Sequence, residues 1–379
     1  MTGPPPVRRG GPSTPDATTE GGPGSGCDIA AAHRDTAHTR AAACHTPGPG
    51  DLFGHGRQGG RMTATPPPHP LDSVTDRFLG HRELLFSVVY NMLGTVADTE
   101  DTLQEVWLAW SARHRRPDAE PVENARAYLV RIAVNQALAR RAELGRRQES
   151  YVGTWLPEPL AGVEDHAGEG VERAEELSMA LLVVLETLSP LERAVFVLHE
   201  VFGFTHPEIA RILDRSPTAV RQLATRARRH VHARRPRHRP EADLHARVTE
   251  RFAAAALGGD LRTLLELLAP DVTLWTDGGG KGPAVSLHPV HGRDRVAAVF
   301  MSVARALPAA GVDLRHRRVA GDPGALVFVD GGPLAVVVVD LTPEGDRITG
   351  VYSVTNPDKL TGITRPAASW RASRPGCGP

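Results

Sequence analysis

Thr205-His206-Pro207-Glu208-Ile209-Ala210-Arg211-Ile212-Leu213-Asp214-Arg215-Ser216-Pro217-Thr218-Ala219-Val220-Arg221-Gln222-Leu223-Ala224-Thr225-Arg226-Ala227-Arg228-Arg229 contains two helix starts joined by a short turn. Thr205 and Glu208 form a capping box with a proline in the first turn; threonine oxygen and glutamate carboxylate satisfy N–H groups that the helix leaves free. The pattern predicts a short helix through Ile209, Ala210 and Leu213, then a turn at Asp214, Arg215 and Ser216. Ser216, with Pro217 behind it, caps a longer helix. These are the proportions of a helix-turn-helix. In the longer helix Val220, Leu223, Ala224 and Ala227 recur at i, i+3, i+4, i+7 as a buried stripe. Thr218, Arg221, Gln222, Thr225, Arg228 and Arg229 fall on another face, which has donors and no acid. A major-groove reader requires such a face, with polar side chains to reach base edges and arginines to hold phosphates. Arg234, Arg235, Arg237 and Arg239 extend the charge. The blander reading is a solvated basic helix.

Toward the N-terminus, Ser189-Pro190-Leu191-Glu192 is another capping box, opening a helix with Val195, Phe196 and Leu198. The pattern from Leu71 to Ser150 is also helical. There Leu103, Val106, Trp107 and Trp110 make one buried stripe, while Asp98, Asp101 and Glu105 line a different face with Glu100 beside them. Acids in a first turn suit the helix dipole, so on spacing alone this is a solvated face. The next helix runs from Asn124 through Arg126, Tyr128 and Gln136 toward Arg140-Arg141 and Arg146-Arg147. Its apolar positions are too many for one narrow stripe, so it packs on two sides and leaves arginines outward. Spacing leaves two readings open, a buried helix with a basic edge or a nucleic-acid surface.

Trp155-Leu156-Pro157-Glu158-Pro159-Leu160 cannot be helical through its prolines. The residues after it are acidic, with Glu164, Asp165, Glu169, Glu172, Glu175 and Glu176. Trp155 and Leu156 are costly to leave in water, so the start of this linker is expected to dock on a domain. Beyond Glu241 the periodicity changes. Helices are expected over Leu244 to Leu257, Leu261 to Leu268 and Arg293 to Ala306, with strands at Asp271 to Thr276, Ala325 to Val329, Leu334 to Leu341 and Arg347 to Val354. Helices before a run of strands indicate an α+β domain with the helices on one side of a curved sheet.

The 379 residues leave room for two or three domains. Lys+Arg and Asp+Glu are 44 each, which excludes a uniformly basic or uniformly acidic protein, so any charge-driven function arises from local segregation. An apolar run such as Leu334 to Val339 is far short of the roughly 18 residues that span a bilayer, and nothing near Met1 resembles a signal peptide. A cytoplasmic location without membrane attachment is expected. Cys27, Cys44 and Cys377 lie in Gly/Pro-rich end segments, with no disulfide framework or zinc-binding pair. No metal or cofactor is expected. Residues 1–70 and 365–379 are too poor in apolar periodicity to offset the entropy of ordering and read as disordered tails. Met62 offers a more ordinary start, so residues 1–61 are suspected to be an over-extended reading of the gene.

On these residues the chain resembles a bacterial sigma-70-type factor of the extracytoplasmic-function group. Ala97 to Trp107 is similar to the clamp-binding helix of region 2, and Phe204 to Val231 to the upstream-promoter reader of region 4. The block after Glu241 resembles a SnoaL-like domain. One subgroup carries that extension with three marker motifs, here Trp155 to Leu160, Asp277-Gly278-Gly279-Gly280-Lys281 and Asn356-Pro357-Asp358-Lys359-Leu360. The implied fold is multidomain, with two all-α sigma domains (a region 2 bundle over 71–150 and a region 4 helix-turn-helix over 177–238). The linker spans 151–176, and an α+β SnoaL-like cone-shaped domain spans 239–364.

The resemblance implies a sigma subunit that directs core RNA polymerase to promoter DNA. Asp98, Glu100, Asp101 and Glu105 would then bind the β′ clamp, and region 4 the β flap. Asn124, Arg126 and Tyr128 would meet the melted promoter element, where bases leave the stack and arginines hold the single strand. Thr218, Arg221, Gln222, Thr225, Arg228 and Arg229 would read the upstream element. The three marker motifs, Trp155, Leu156, Pro157, Glu158, Pro159, Leu160, Asp277, Gly278, Gly279, Gly280, Lys281, Asn356, Pro357, Asp358, Lys359 and Leu360, would form an interdomain regulatory contact through which the SnoaL-like domain modulates activity in cis. No catalytic residue is assigned. The alternative is a DNA-binding module fused to a ligand-sensing or catalytic SnoaL-like domain, with His288, His291, Asp277 and Asp294 as acid–base candidates and an unknown small ligand.

Overall fold

Four helices build the first block: α1 (Pro70–Leu79), α2 (Arg82–Leu93), α3 (Val96–His114) and α4 (Ala125–Glu149). The structure, a computed structural model, describes residues 70–161, 177–234, 240–283, 286–308 and 310–363. The tail residues before Pro70, the tail 365–379, the three cysteines, the acids from Glu164 to Glu176 and the side chains of Arg234, Arg235, Arg237 and Arg239 lie outside what is described. In α3, Leu103, Val106 and Trp110 are buried as the stripe predicts. Trp107 is half-buried against Phe78, ring centroids 5.3 Å apart, and Trp110 donates its indole N–H to the Val74 carbonyl at 3.0 Å.

The second block is α5 (Met179–Leu185), α6 (Pro190–Phe196) with a π-helical turn at Val197–Val201, α7 (His206–Leu213) and α8 (Pro217–Arg234). Both capping boxes form, Ser189 with Glu192 and Thr205 with Glu208. Asp214 ends α7 in the left-handed conformation, φ 51°, and Ser216 Oγ accepts from the Ala219 N–H at 3.2 Å to start α8. The apolar surplus of α4 now has its reason. One side packs on α2 and α3, and the other on α6 and α7. Leu129 and Val134 share a core with Ile209, Leu213, Val220 and Ala224. The two helical blocks thus have one common hydrophobic interior.

The third block comprises α9 (Ala242–Gly258), α10 (Leu261–Leu267), β1 (Leu268–Asp277), β2 (Val290–His291), α11 (Arg293–Ala306), β3 (Val312–Val319), β4 (Asp322–Val329), β5 (Gly332–Leu341) and β6 (Ile348–Val354), ending in a 3-10 turn at Pro357–Lys359. The sheet order is β2-β1-β6-β5-β4-β3, with β1 and β6 parallel and the other pairs antiparallel. β2 and β3 escape sequence reading. The former has two residues, and the latter is an edge strand whose Asp313, Arg315, His316, Arg317 and Arg318 hide its alternation, as charge on an edge strand commonly does.

Strand alternation explains why Leu334 to Val339 is apolar without interruption. Val337 and Val339 face α9 and α11, together with Leu274 and Val351. Val336 and Val338 face the opposite way, with Leu326, Phe328, Tyr352 and Val354. There they meet Leu156 of the linker and Met179 and Ala180 at the start of α5. The helices cover one side of the sheet as expected; the other side is covered by the linker and the second helical block, not by water.

Candidate functional site

The three marker motifs converge on one buried ionic cluster. Strand alternation at the end of β1 turns Asp277 toward the linker, where it is fully buried. Its carboxylate accepts from the Leu156 N–H and from Lys359 Nζ, both at 2.8 Å, and from the Tyr151 hydroxyl. Lys359 also donates to the Leu156 carbonyl at 2.5 Å and stands 3.4 Å from the centroid of the Trp155 ring. Burial pushes the Lys359 ammonium pKa below its usual value, while Asp277 acts to raise it. Burial and then Asp277 push the Tyr151 hydroxyl up.

The Gly-rich loop closes over this cluster. Gly279 has φ +58°, and a Cβ there would collide with the Asn356 amide and come 2.9 Å from the Tyr151 oxygen. Asn356 Nδ2 donates to Tyr151 at 2.8 Å, and Lys281 pairs with Asp358 at 2.5 Å on the outside. Asn356 to Leu360 folds back as the 3-10 turn on its own sheet, where Lys359 has its counter-ion.

Two residues past Leu156 the linker grips the first block. The Glu158 N–H donates to the Gly94 carbonyl at 2.8 Å, its side chain accepts from the Val96 N–H at 2.8 Å, and its carbonyl accepts from the Tyr90 hydroxyl at 2.5 Å. Burial raises the pKa of the Glu158 carboxyl, with the Val96 N–H and Lys359 opposing. Leu160 then accepts from the Ala320 N–H at 3.0 Å, and Ala161 bridges to Val319 at the end of β3. Pro157 and Pro159 are buried between these anchors.

A second ionic cluster joins the two helical blocks. Glu186, just after α5, takes Arg193 Nη1 at 2.6 Å and Arg141 Nη2 at 2.5 Å. Arg193 is 1% exposed and also donates Nε to the Asn91 carbonyl at 2.8 Å. Burial opposes ionisation of Glu186, yet the two guanidiniums outweigh it and lower its pKa to about 2. Arg141 belongs to the edge expected to point outward; it is buried because Glu186 lies opposite.

Comparison with known proteins agrees with this architecture. The model for Sigma-70 region 2 matches residues 78–147, that for Sigma-70 region 4 matches 178–231, and that for a SnoaL-like domain matches 249–355. The ECF RNA polymerase sigma factor SigJ of Mycobacterium tuberculosis is 37% identical over 290 residues, which cover 74% of this chain and 91% of SigJ. The chain belongs to the ECF RNA polymerase sigma factors. The probable ECF sigma factor SigI of the same organism is 31% identical over 76% of this chain and 95% of its own. The crystal structure of M. tuberculosis SigJ superposes with a TM-score of 0.60 at 33% identity, covering 76% of this chain and 98% of that one. This sigma factor therefore directs core RNA polymerase to promoters for the initiation of transcription.

In the sigma factor the acidic helix α3 is not uniformly exposed. Asp98, placed by its spacing on an open face, is 7% exposed. It accepts from Thr95 Oγ1 at 2.6 Å and pairs with Arg140 at 2.9 Å and Arg147 at 3.5 Å. A carboxylate in the first turn of a helix, flanked by a second helix rich in arginine, is drawn inward by both. Asp101 and Glu105 remain exposed, with Asp101 also touching Arg140 at 2.8 Å, and Glu100 pairs with Arg82 at 2.7 Å. Leu108, 59% exposed, lies one turn beyond Glu105 and puts an apolar side chain beside the acids. Its position outside the buried stripe was the available signal.

The promoter-facing candidates of region 2 meet region 4 of the same sigma factor. Asn124 caps α4, accepting from the Ala127 N–H at 2.9 Å. The Arg126 guanidinium lies over the Phe204 ring at 4.8 Å. Tyr128 packs on Trp110 and under Arg113. With Arg131, Glu208 and Arg211, Asn124 and Tyr128 line a cleft of about 460 Å3 between α4 and α7. On α8 the side chains of Thr218, Arg221, Gln222, Thr225 and Arg229 are exposed, whereas Arg228 pairs with Glu200 at 2.5 Å. The acid–base candidates do not converge. His291 faces Thr273, Asp294 pairs with Arg293, His288 is exposed and Asp277 serves the linker. Among the described residues no group of His, Cys, Asp and Glu could hold a metal, and no helix is long and apolar enough to cross a membrane.

Proposed function

We propose that the sigma factor rests in a closed form in which region 4 packs along the α4 side of region 2, and that the SnoaL-like domain modulates activity by holding this form through the linker. The observation that carries the reading is the exposed Arg126 of region 2 stacked on Phe204, a residue of the core that the two regions share. Asn124 and Tyr128 line the cleft between α4 and α7 and Arg126 lies over Phe204, so a strand of promoter DNA that approaches them meets region 4. Glu186 with Arg141 and Arg193 latches the regions together, and Glu158 ties the linker to α3.

In this reading core polymerase binds the Asp101, Glu105 and Leu108 face of α3 through its β′ clamp and region 4 through its β flap, pulling the regions apart. Thr218, Arg221, Gln222, Thr225 and Arg229 then read the upstream element, and the uncovered basic edge of α4 takes the melted strand. The sigma factor works in the cytoplasm, beside polymerase and promoter, and has no catalytic role of its own.

The test places fluorophores on Asp118→Cys and Arg215→Cys in a full chain whose Cys27, Cys44 and Cys377 are serine. Energy transfer should be high in the free protein and fall when core polymerase is added. Unchanged transfer in a complex that transcribes from a promoter would sink the closed-form reading.

A further inference from the structure

The SnoaL-like domain encloses a cavity of about 350 Å3 between α9, α11 and the inner face of the sheet, within the range of small-molecule sites. Phe252, Ala256, Leu274, Phe300, Val327 and Val337 supply much of its wall, and no described lining residue is charged. Ala306 and Pro308, both exposed, mark the mouth.

Three hydroxyls interrupt this hydrocarbon surface, those of Thr276, Ser353 and Thr355. Thr355 spends its hydroxyl on the Asp277 carbonyl at 3.2 Å. Thr276 and Ser353 are register partners on the parallel strands β1 and β6. Thr276 is 3% exposed and its Oγ1 has no hydrogen-bond partner. A buried hydroxyl in that state has given up water for nothing, and native structures keep few such groups. The χ1 torsion has other staggered positions, and a ligand oxygen in the cavity would give the hydroxyl the partner it lacks.

The same alternation that turns Thr276 inward turns Asp277 outward onto Leu156, Tyr151 and Lys359. Thr355 and Asn356 repeat the arrangement. Thr355 lines the cavity, Asn356 holds Tyr151, and both backbone N–H groups donate to the Asp277 carbonyl, at 2.7 and 2.9 Å. A molecule in the cavity is therefore one residue away from the linker's anchor at the end of β1 and again just after β6.

We propose that this cavity binds a neutral, mostly hydrocarbon small molecule carrying one hydrogen-bonding oxygen, held at Thr276 and Ser353, and that occupancy is passed to the linker through Asp277 and Asn356. A carboxylate ligand is disfavoured because it would be buried without a cation. The binding half is independent of the closed-form reading; the transmission half rests on the linker having the role given above.

The experiment uses the full chain and three probes, decan-2-one, decane and decanoate at pH 8, by titration calorimetry. Decan-2-one should bind one per chain, decanoate at least about tenfold more weakly. Ala256→Phe should abolish binding by filling the cavity. Thr276→Val, which keeps the shape, should weaken decan-2-one about five-fold, the size of one hydrogen bond, and leave decane unchanged. Occupancy should change amide hydrogen exchange at Leu156. Absence of saturable binding by either neutral probe, or binding that survives in a folded Ala256→Phe, overturns the site. Saturable binding with exchange at Leu156 unmoved overturns the transmission. Neither failure would alter the energy transfer between the labels at 118 and 215, which tests the closed form separately.

Discussion

The Glu158 carboxylate accepts the backbone N–H of Val96 at 2.8 Å, so a linker residue caps the helix that carries the polymerase-facing acids. Helix N-termini leave N–H groups unsatisfied, and Thr95, at the N-cap position of α3, makes no side-chain cap bond of its own. Its hydroxyl is given to Asp98 instead. Glu158→Ala should cost about 1 kcal/mol of stability, the typical worth of a cap. Faster amide exchange at Val96, together with a lower urea midpoint, is the measurement; a silent substitution would mean water replaces the cap without loss.

Lys359→Ala should be far more damaging. Asp277 is fully buried, and stranding such a carboxylate costs roughly 3–5 kcal/mol, whereas replacing both partners by uncharged groups of similar shape can be near neutral. Denaturant unfolding of Lys359→Met, Asp277→Asn and the double variant should therefore show strong positive coupling, with the double variant recovering most of the loss.

Acid should open the region 2–region 4 latch. The folded pKa of Glu186 is about 2, below the 4.5 of an unperturbed glutamate, so its contribution is complete above about pH 4.5 and is lost as pH falls toward 2. Energy transfer between labels at 118 and 215 should drop across that window. Glu186→Gln should lower transfer already at pH 7 and flatten the acid limb.

Charge reversal on α3 should separate two roles that spacing merges. Asp101→Lys with Glu105→Lys should abolish co-purification with core polymerase and leave thermal stability within a few degrees, since both side chains are exposed. Asp98→Lys should unfold or strongly destabilise the helical block by placing a cation beside Arg140 and Arg147. Equal polymerase binding by the folded Asp101, Glu105 variant would return those acids to ordinary solvation.

Substitution of Arg221 or Gln222 should alter base preference at one or two upstream promoter positions by about 1–3 kcal/mol each, while Arg229→Ala should weaken all sequences alike and reduce the salt slope by about one unit. Selection from a randomised promoter pool distinguishes the two outcomes.

What the sequence determined by itself is everything local. The capping boxes at Ser189 and Thr205, the Ser216 cap, the α3 stripe and the unbroken apolar run of β5 are set by interactions a few residues apart, and each appears where the pattern puts it. The resemblance in ordered motifs carried the fold class and the sigma function. Tertiary structure decided which charges are paired. Asp98 and Asp101 look alike in sequence, yet one is buried against Arg140 and Arg147 and the other is open, because the partners come from a helix about forty residues on. Arg141 and Glu186 meet across 45 residues and Asp277 and Lys359 across 82, and no short-range pattern records a pairing whose energy depends on shared burial. The surplus apolar positions of α4 announced that a second face was covered, and the unbroken run Leu334 to Val339 held the same information, which the expectation of helices on one side of the sheet left unused. Only the folded chain shows that region 4 covers the first, and the linker and α5 the second. Hydrophobic burial is non-directional, so a sequence states how much surface must be hidden and leaves the choice of neighbour to the packing of the whole chain.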